Sequence, residues 1–200
     1  SINSPKAFKA YIDELEKTYQ SRAVRVRLKD KTRGWQSLAS HVWFENGQES
    51  LHDRNDDFWI RGFIFHDLYT RESCCHCRYR RLPRVAADIT TGDFWGISGQ
   101  EEEDMRKGIS VLLLNTEKGD RLFSEISDRL IYERHTIPEV IKGNPALLES
   151  PVKTAKQDQF YRMLKSHPFS SSVNRCINKS LVDKWESTIK ACAGMAVKKA

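Results

Sequence analysis

Three of the chain's five cysteines fall within Ser73-Cys74-Cys75-His76-Cys77. The Cys74-x-x-Cys77 spacing lets one tight loop present two sulfurs to a metal ion or cluster. Several chemistries compete there. An iron–sulfur cluster takes thiolates, ordinarily four. A structural zinc also takes four ligands, and His76 could be one. A redox dithiol needs only the pair, with a thiol pKa lowered by its surroundings. The plainest reading is reduced surface thiols. The segment from Arg71 to Arg84 carries Arg71, Arg78, Arg80, Arg81 and Arg84 against Glu72 alone. Positive charge beside thiols favours the thiolate, and guanidinium groups can grip the phosphates of a nucleotide cofactor. A zinc-based nucleic-acid module would want a second CxxC or an HxxxH, and neither is present.

Fifteen residues after Cys77 stands Gly92-Asp93-Phe94-Trp95-Gly96. Ala87 to Thr91 alternates in the manner of a strand that ends at Gly92. A residue without a Cβ there lets a ligand or another backbone come close. Asp88 and Asp93 flank that strand end. Phe94 and Trp95 could stack on a flat cofactor such as a flavin, or pack into the core, the commoner fate of such rings. There is no Walker loop, GxGxxG, HExxH or GxSxG, so a hydrolase or P-loop enzyme has no support.

Periodicity supplies the elements that must hold these residues. Ser4-Pro5 predicts a helix start, followed by Phe8, Tyr11, Ile12, Leu15 and Tyr19 on one face. Ala23 to Leu28 reads as a half-buried strand, and Asn46-Gly47 as the turn of a hairpin between His41–Phe44 and Gln48–Leu51. Asp56 to Asp67 suggests a buried helix bearing Phe58, Trp59, Phe63 and Phe65. Gly108 to Asn115 reads as a continuous apolar strand at the centre of a sheet. A helix capped by Thr116 is expected from about Glu117 to Tyr132. Pro138 to Ile141 reads as extended, and Gln157–Ser166 and Leu181–Ala196 as helical. Leu181, Trp185, Ile189 and Cys192 share one stripe, so Cys192 reads as a core residue. The expected fold is α/β, a mixed sheet flanked by helices, with a helical C-terminal segment. Residues 1–160 form the main domain and 161–200 a helical extension packed on it.

The chain has 200 residues, 39% of them hydrophobic and 30% charged, with a net charge of +6. That is a normal globular composition. The charge fits a solvated basic surface; nucleic acid is not the expected partner. The longest apolar run, Val111 to Leu114 with Ile109 just before it, is too short to cross a bilayer. Asp13, Glu14, Glu16 and Lys17 rule out a signal peptide in the opening residues. An odd cysteine count with three clustered is no secreted disulfide framework, so a cytoplasmic setting is expected. The chain begins at Ser1, which reads as a piece cut from a longer protein.

Ser73-Cys74-Cys75-His76-Cys77, then Ala87-Asp88-Ile89-Thr90-Thr91-Gly92-Asp93-Phe94-Trp95-Gly96, then Lys107-Gly108-Ile109-Ser110, resembles the C-terminal domain of the coenzyme F420 hydrogenase/dehydrogenase beta-subunit family. Ser4-Pro5, Leu28-Lys29-Asp30-Lys31 with Gly34-Trp35, and Asn115-Thr116-Glu117-Lys118-Gly119 extend the likeness, which reaches about Phe160. It looks most like the bacterial members often encoded among polysaccharide-biosynthesis genes. The resemblance implies an iron–sulfur flavoprotein that binds a 4Fe–4S cluster and FAD and passes electrons between an iron–sulfur donor and a hydride-accepting cofactor. It puts the family's CxxC on Cys74 and Cys77 as cluster ligands, with Cys75 where an aromatic is usual. The remaining ligands would come from an upstream ferredoxin-like region or a ferredoxin-type donor. Gly92, Asp93 and Trp95, with Asp88 and Lys31, are expected to face the cofactor. The competing class is a zinc-stabilised basic binding module that uses Arg78 to Arg84 and has no enzymatic activity.

Overall fold

The first helix, α1 (Pro5–Tyr19), starts with Ser4 extended and Pro5 in the first turn, where a missing N–H leaves no bond unmade. It stops at Gln20, which turns left-handed at φ 49° and donates its N–H to the Glu16 carbonyl. The computed structural model describes residues 2–79 and 86–177. The expected stripe Leu181, Trp185, Ile189 and Cys192 and the arginines from Arg80 to Arg84 lie outside the described residues.

Strands β1 (Ala23–Asp30), β2 (Ala39–Phe44) and β3 (Glu49–Leu51) form an antiparallel sheet in that order. Asn46-Gly47 makes the β2–β3 turn as expected. Gly47 takes φ 82°, and Asn46 accepts the Gln48 N–H at 3.1 Å. Helix α2 (Phe58–Ile60) is one α-turn that widens into a π-helical turn over Arg61–Phe65. Its cap ties three elements together. Asp57 Oδ1 accepts the Trp59 and Ile60 N–H groups at 2.8 and 3.1 Å, and Oδ2 accepts the Ser40 N–H at 2.9 Å and the Ser40 hydroxyl. Tyr11 Oη lies 2.6 Å from Ser40 Oγ. A carboxylate this deeply buried requires such a full set of donors.

Around this cap sits an aromatic core of Tyr11, Trp59, Tyr69, Phe160 and Phe169 with Ala7, Val42, Leu68 and Val173. Helices α7 (Ala155–Met163) and α8 (Phe169–Ile177) supply its far side. Cys176 is buried in the same core, and burial pushes its thiol pKa up.

A second, smaller sheet pairs β4 (Ile89–Asp93) with β5 (Ser110–Leu114), again antiparallel. Short helices α4 (Glu102–Lys107), α5 (Glu117–Ser124) and α6 (Ile137–Gly143) surround it. Phe94, Val111, Leu113 and Val140 make its core. The α/β class holds, with the strands in two antiparallel sheets. Three local expectations change. β5 is not central: it pairs with β4 alone among the described residues, and its side chains alternate between exposed and buried. The helix after Thr116 ends at Ser124, where Ser124 and Ser127 hydroxyls bond back to the Asp120 and Ser124 carbonyls and tighten the last turn. Pro138–Ile141 is helical, because Glu139 reaches back to the Thr136 N–H at 2.7 Å and Pro138 sits in the first turn.

The two sheets meet through Trp35, which stacks on Trp95 with ring centroids 4.5 Å apart. Gly108, at φ +94°, lies under Trp35; a Cβ there would fall 2.6 Å from Trp35 Cγ.

Candidate cofactor and cluster site

The cysteine segment is positioned by the chain's opening residues. Asn3 bridges to Thr70, and the Arg71 N–H bonds the Ile2 carbonyl at 2.8 Å. This brings the Ile2 N–H to 3.3 Å from Cys74 Sγ. Helix α3 (Glu72–Cys75) then buries Cys74 and leaves Cys75 and Cys77 half-buried. All three are free thiols. Burial raises the Cys75 thiol pKa, with Cys74, Asp67 and Glu72 adding to the rise and Lys153 opposing it. The sequence expectation of thiolates favoured by nearby arginines therefore does not extend to Cys75, whose neighbours are largely acidic.

Beside α3 opens a cleft of about 360 Å³, lined by Thr70, Arg71, Glu72, Lys153, Gln157 and Tyr161 among others. Gln157 fixes one wall by donating to the Asp67 carbonyl at 2.7 Å. Lys153 stands 3.8 Å from both Glu72 and Asp158. Nothing in the spacing of the sequence brings Lys153 and Gln157 to Glu72; α7 does so by packing Phe160 into the aromatic core.

Of the residues expected to face a cofactor, Lys31, Gly92, Asp93 and Trp95 lie towards the junction of the two sheets, whereas Asp88 precedes β4 at its opposite end, beside Asn115, so Asp88 and Asp93 do not flank one strand end. Lys31 Nζ donates to the Lys107 carbonyl at 3.0 Å. Asp93 pairs with Lys29 at 2.6 Å, a contact the sequence reading missed. Asp88 accepts the Thr116 hydroxyl at 2.7 Å and lies 3.1 Å from Lys118. The Thr116 bond, then Lys118, holds its carboxyl pKa below the usual value. Trp95 is half-buried against Trp35, and the buried Trp35 Nε1 has no hydrogen-bond partner among the described residues. Such a donor is the kind a bound group's oxygen or nitrogen satisfies. At Gly92 a Cβ would meet only Val111 Cγ1, at an ordinary 3.6 Å, so protein atoms do not demand glycine there. None of these five residues lines the cleft beside the cysteines. The structure thus separates the expected site into a cysteine end and a sheet-junction end, with Asp88 apart from both at the start of β4.

Residues 3–140 match the family described as the C terminus of the coenzyme F420 hydrogenase/dehydrogenase beta subunit. The chain belongs to this family. The match contains both ends of the expected site and stops in α6, so α7 and α8 lie beyond it. Membership makes this an oxidoreductase-associated domain. No curated protein and no solved structure matches the chain. No helix among the described residues is long and apolar enough to cross a membrane.

A 4Fe–4S cluster can be tested against the side chains present. Among the described residues no group of three or more His, Cys, Asp or Glu is placed to hold a metal ion. Cys74 is buried, and its sulfur already accepts a backbone N–H. The described residues therefore do not fit a complete cluster, which ordinarily takes four thiolates. A structural zinc with four ligands meets the same shortage.

Proposed function

We propose that this domain is the electron-transfer part of a cytoplasmic iron–sulfur flavoprotein oxidoreductase, working between a 4Fe–4S centre and a flavin or deazaflavin-type cofactor. The observation that carries the reading is the family match over residues 3–140, which spans the Cys74–Cys77 segment and the β4 end together. Because the described residues hold no group that could bind a metal ion alone, the cluster of this reading is a shared one. Cys74 and Cys77 give two thiolates, and a ferredoxin-like region of the same protein or a ferredoxin-type donor gives the rest. Lys31, Asp88, Gly92, Asp93 and Trp95 form the cofactor-facing side, with FAD as the flavin. Polysaccharide biosynthesis is the setting carried over from the bacterial members that the sequence resembles.

The test is anaerobic reconstitution with iron and sulfide. The 200-residue chain alone is expected to stay colourless. With the ferredoxin-like region joined or added, broad brown absorption should develop and be lost on Cys74→Ser or Cys77→Ser, with circular dichroism confirming that the variants fold. A stoichiometric cluster on the 200-residue chain alone would overturn the shared ligand set. A cluster that survives both substitutions would remove these cysteines from it.

A further inference from the structure

The cleft beside α3 has a chemistry that neither the cysteines nor the sheet junction uses. Its walls come from two distant parts of the chain. Ser4, Arg71 and Glu72 lie within the family match, and Lys153, Gln157 and Asp158 lie beyond it. Two cations and two carboxylates therefore line one space, which is neutral overall and carries both signs.

Several of these groups have hydrogen-bonding capacity to spare. Arg71 donates from Nε to the Asn3 carbonyl at 3.0 Å, and its guanidinium has no ion-pair partner among the described residues. A guanidinium held in this way presents its terminal amino groups as a fork that a carboxylate matches. Ser4 stands at the N-cap of α1 without a side-chain cap bond, and the first turn of α1 holds no acidic residue. On the acidic side, Lys153 Nζ lies 3.8 Å from both Glu72 and Asp158. That is well beyond the roughly 2.7–2.9 Å of a charge-assisted hydrogen bond, so it saturates neither carboxylate. Gln157, 5% exposed, commits Nε2 to the Asp67 carbonyl, and its Oε1 has no partner among the described residues. A buried amide oxygen of this kind calls for a donor.

We propose that this cleft binds a small zwitterion, a free α-amino acid. Its carboxylate meets Arg71 and the Ser4 hydroxyl. Its ammonium group meets Gln157 Oε1 and the carboxylates of Glu72 and Asp158. The two signs of the cleft select this class. A phosphate dianion would gain Arg71 but lie against two carboxylates, and a plain amine would leave Arg71 without a partner. The volume, about 360 Å³, stands at the small end of ligand pockets, the size of an amino acid rather than of a dinucleotide cofactor. The proposal does not rest on the electron-transfer reading, and its test needs neither cluster nor flavin.

The test is a nuclear magnetic resonance titration of the 200-residue chain with each standard amino acid in turn, following the Gln157 side-chain amide and the Arg71 Nε–H. At least one amino acid is expected to shift both signals saturably at about 10 mM or below, the reach of a millimolar site. For that amino acid, Arg71→Gln and Glu72→Gln should each weaken binding about tenfold, as loss of a charged hydrogen-bond partner does. Both side chains are exposed, and an unchanged amide spectrum away from the cleft verifies that the variants fold. The matching α-hydroxy acid, which lacks the ammonium group, and the matching amino-acid amide, which lacks the carboxylate, should bind as weakly as the variants or more so. If no amino acid shifts either signal, the proposal is overturned. It is overturned too if inorganic phosphate binds as tightly, which would make the cleft an anion site only, or if Arg71→Gln and Glu72→Gln leave the affinity unchanged.

Discussion

Trp59 is ringed by Phe8, Tyr11, Phe63, Tyr69 and Phe169, with centroid separations from 5.0 to 6.4 Å. Val111 has Phe94, Leu113 and Val140. The first region closes its core with elements from both ends of the chain: α1 at the start, α7 and α8 near the end of the described residues. The second lays a two-stranded sheet over one thin layer of side chains and leaves its other face to solvent. A two-stranded sheet is marginal by itself in water. The contrast teaches that the aromatic region can carry its own stability, while the β4–β5 region depends on what it leans against, through Trp35.

The largest break in that contrast is Trp59→Ala. It removes the ring that the other aromatics share, and a cost of about 3–5 kcal/mol is expected. Urea unfolding followed by far-UV circular dichroism should show the whole transition move, β4–β5 included. If only a local loss appears, the aromatic region does not carry the rest.

Val140→Ala tests the other side. It trims the small core beneath Val111 and Leu113, at about 1–2 kcal/mol. Amide exchange should quicken in β4 and β5 and stay unchanged in β2. Equal quickening in β2 would mean the two cores unfold as one unit.

The smallest effect sharpens the contrast by pH. Asp30, buried at the end of β1, is opposed in its ionisation by burial. Hydrogen bonds from Thr32 and Arg27, with the His41 ring 3.5 Å away, outweigh that and leave its pKa below the usual 3.8. The folded state therefore holds this proton less tightly than the unfolded one. The stability Asp30 gives is present above the usual carboxylate value and is lost as the pH falls through the lower folded value. Asp30→Asn should cost about 1 kcal/mol near neutrality, a difference that shrinks at the acid end. Unfolding measured from roughly pH 2 to pH 6 checks it; a constant difference across that range would show that the carboxylate's charge is not what matters.

Much of the first region was legible because its signals are local. Ser4-Pro5, the apolar face from Phe8 to Tyr19 and Asn46-Gly47 each specify backbone geometry within a few residues. Asp57 ahead of Phe58-Trp59 is a cap of the same kind, and Thr136 with Glu139 is a capping box; both went unread, although their residues are in plain order. The length of α5 and the edge position of β5 were not legible. A run such as Val-Leu-Leu-Leu suits a central strand and an exposed edge alike until its neighbours are known.

The order of residues alone determined the Cys74–Cys77 spacing, the hairpin, the first helix and the family to which the chain belongs. Those depend on contacts near in sequence, or on residue pattern itself. Only the tertiary structure decided that Cys74 is buried under the Ile2 N–H, that Lys153 and Gln157 reach the cleft beside it, and that Asp93 is held by Lys29. It alone placed Trp95 on Trp35 and turned Leu112 outward. Each of these pairs groups far apart in the chain, or depends on which neighbour a strand lacks. Burial and hydrogen bonding reward such meetings only after the cores have closed, so no short stretch of residues encodes them.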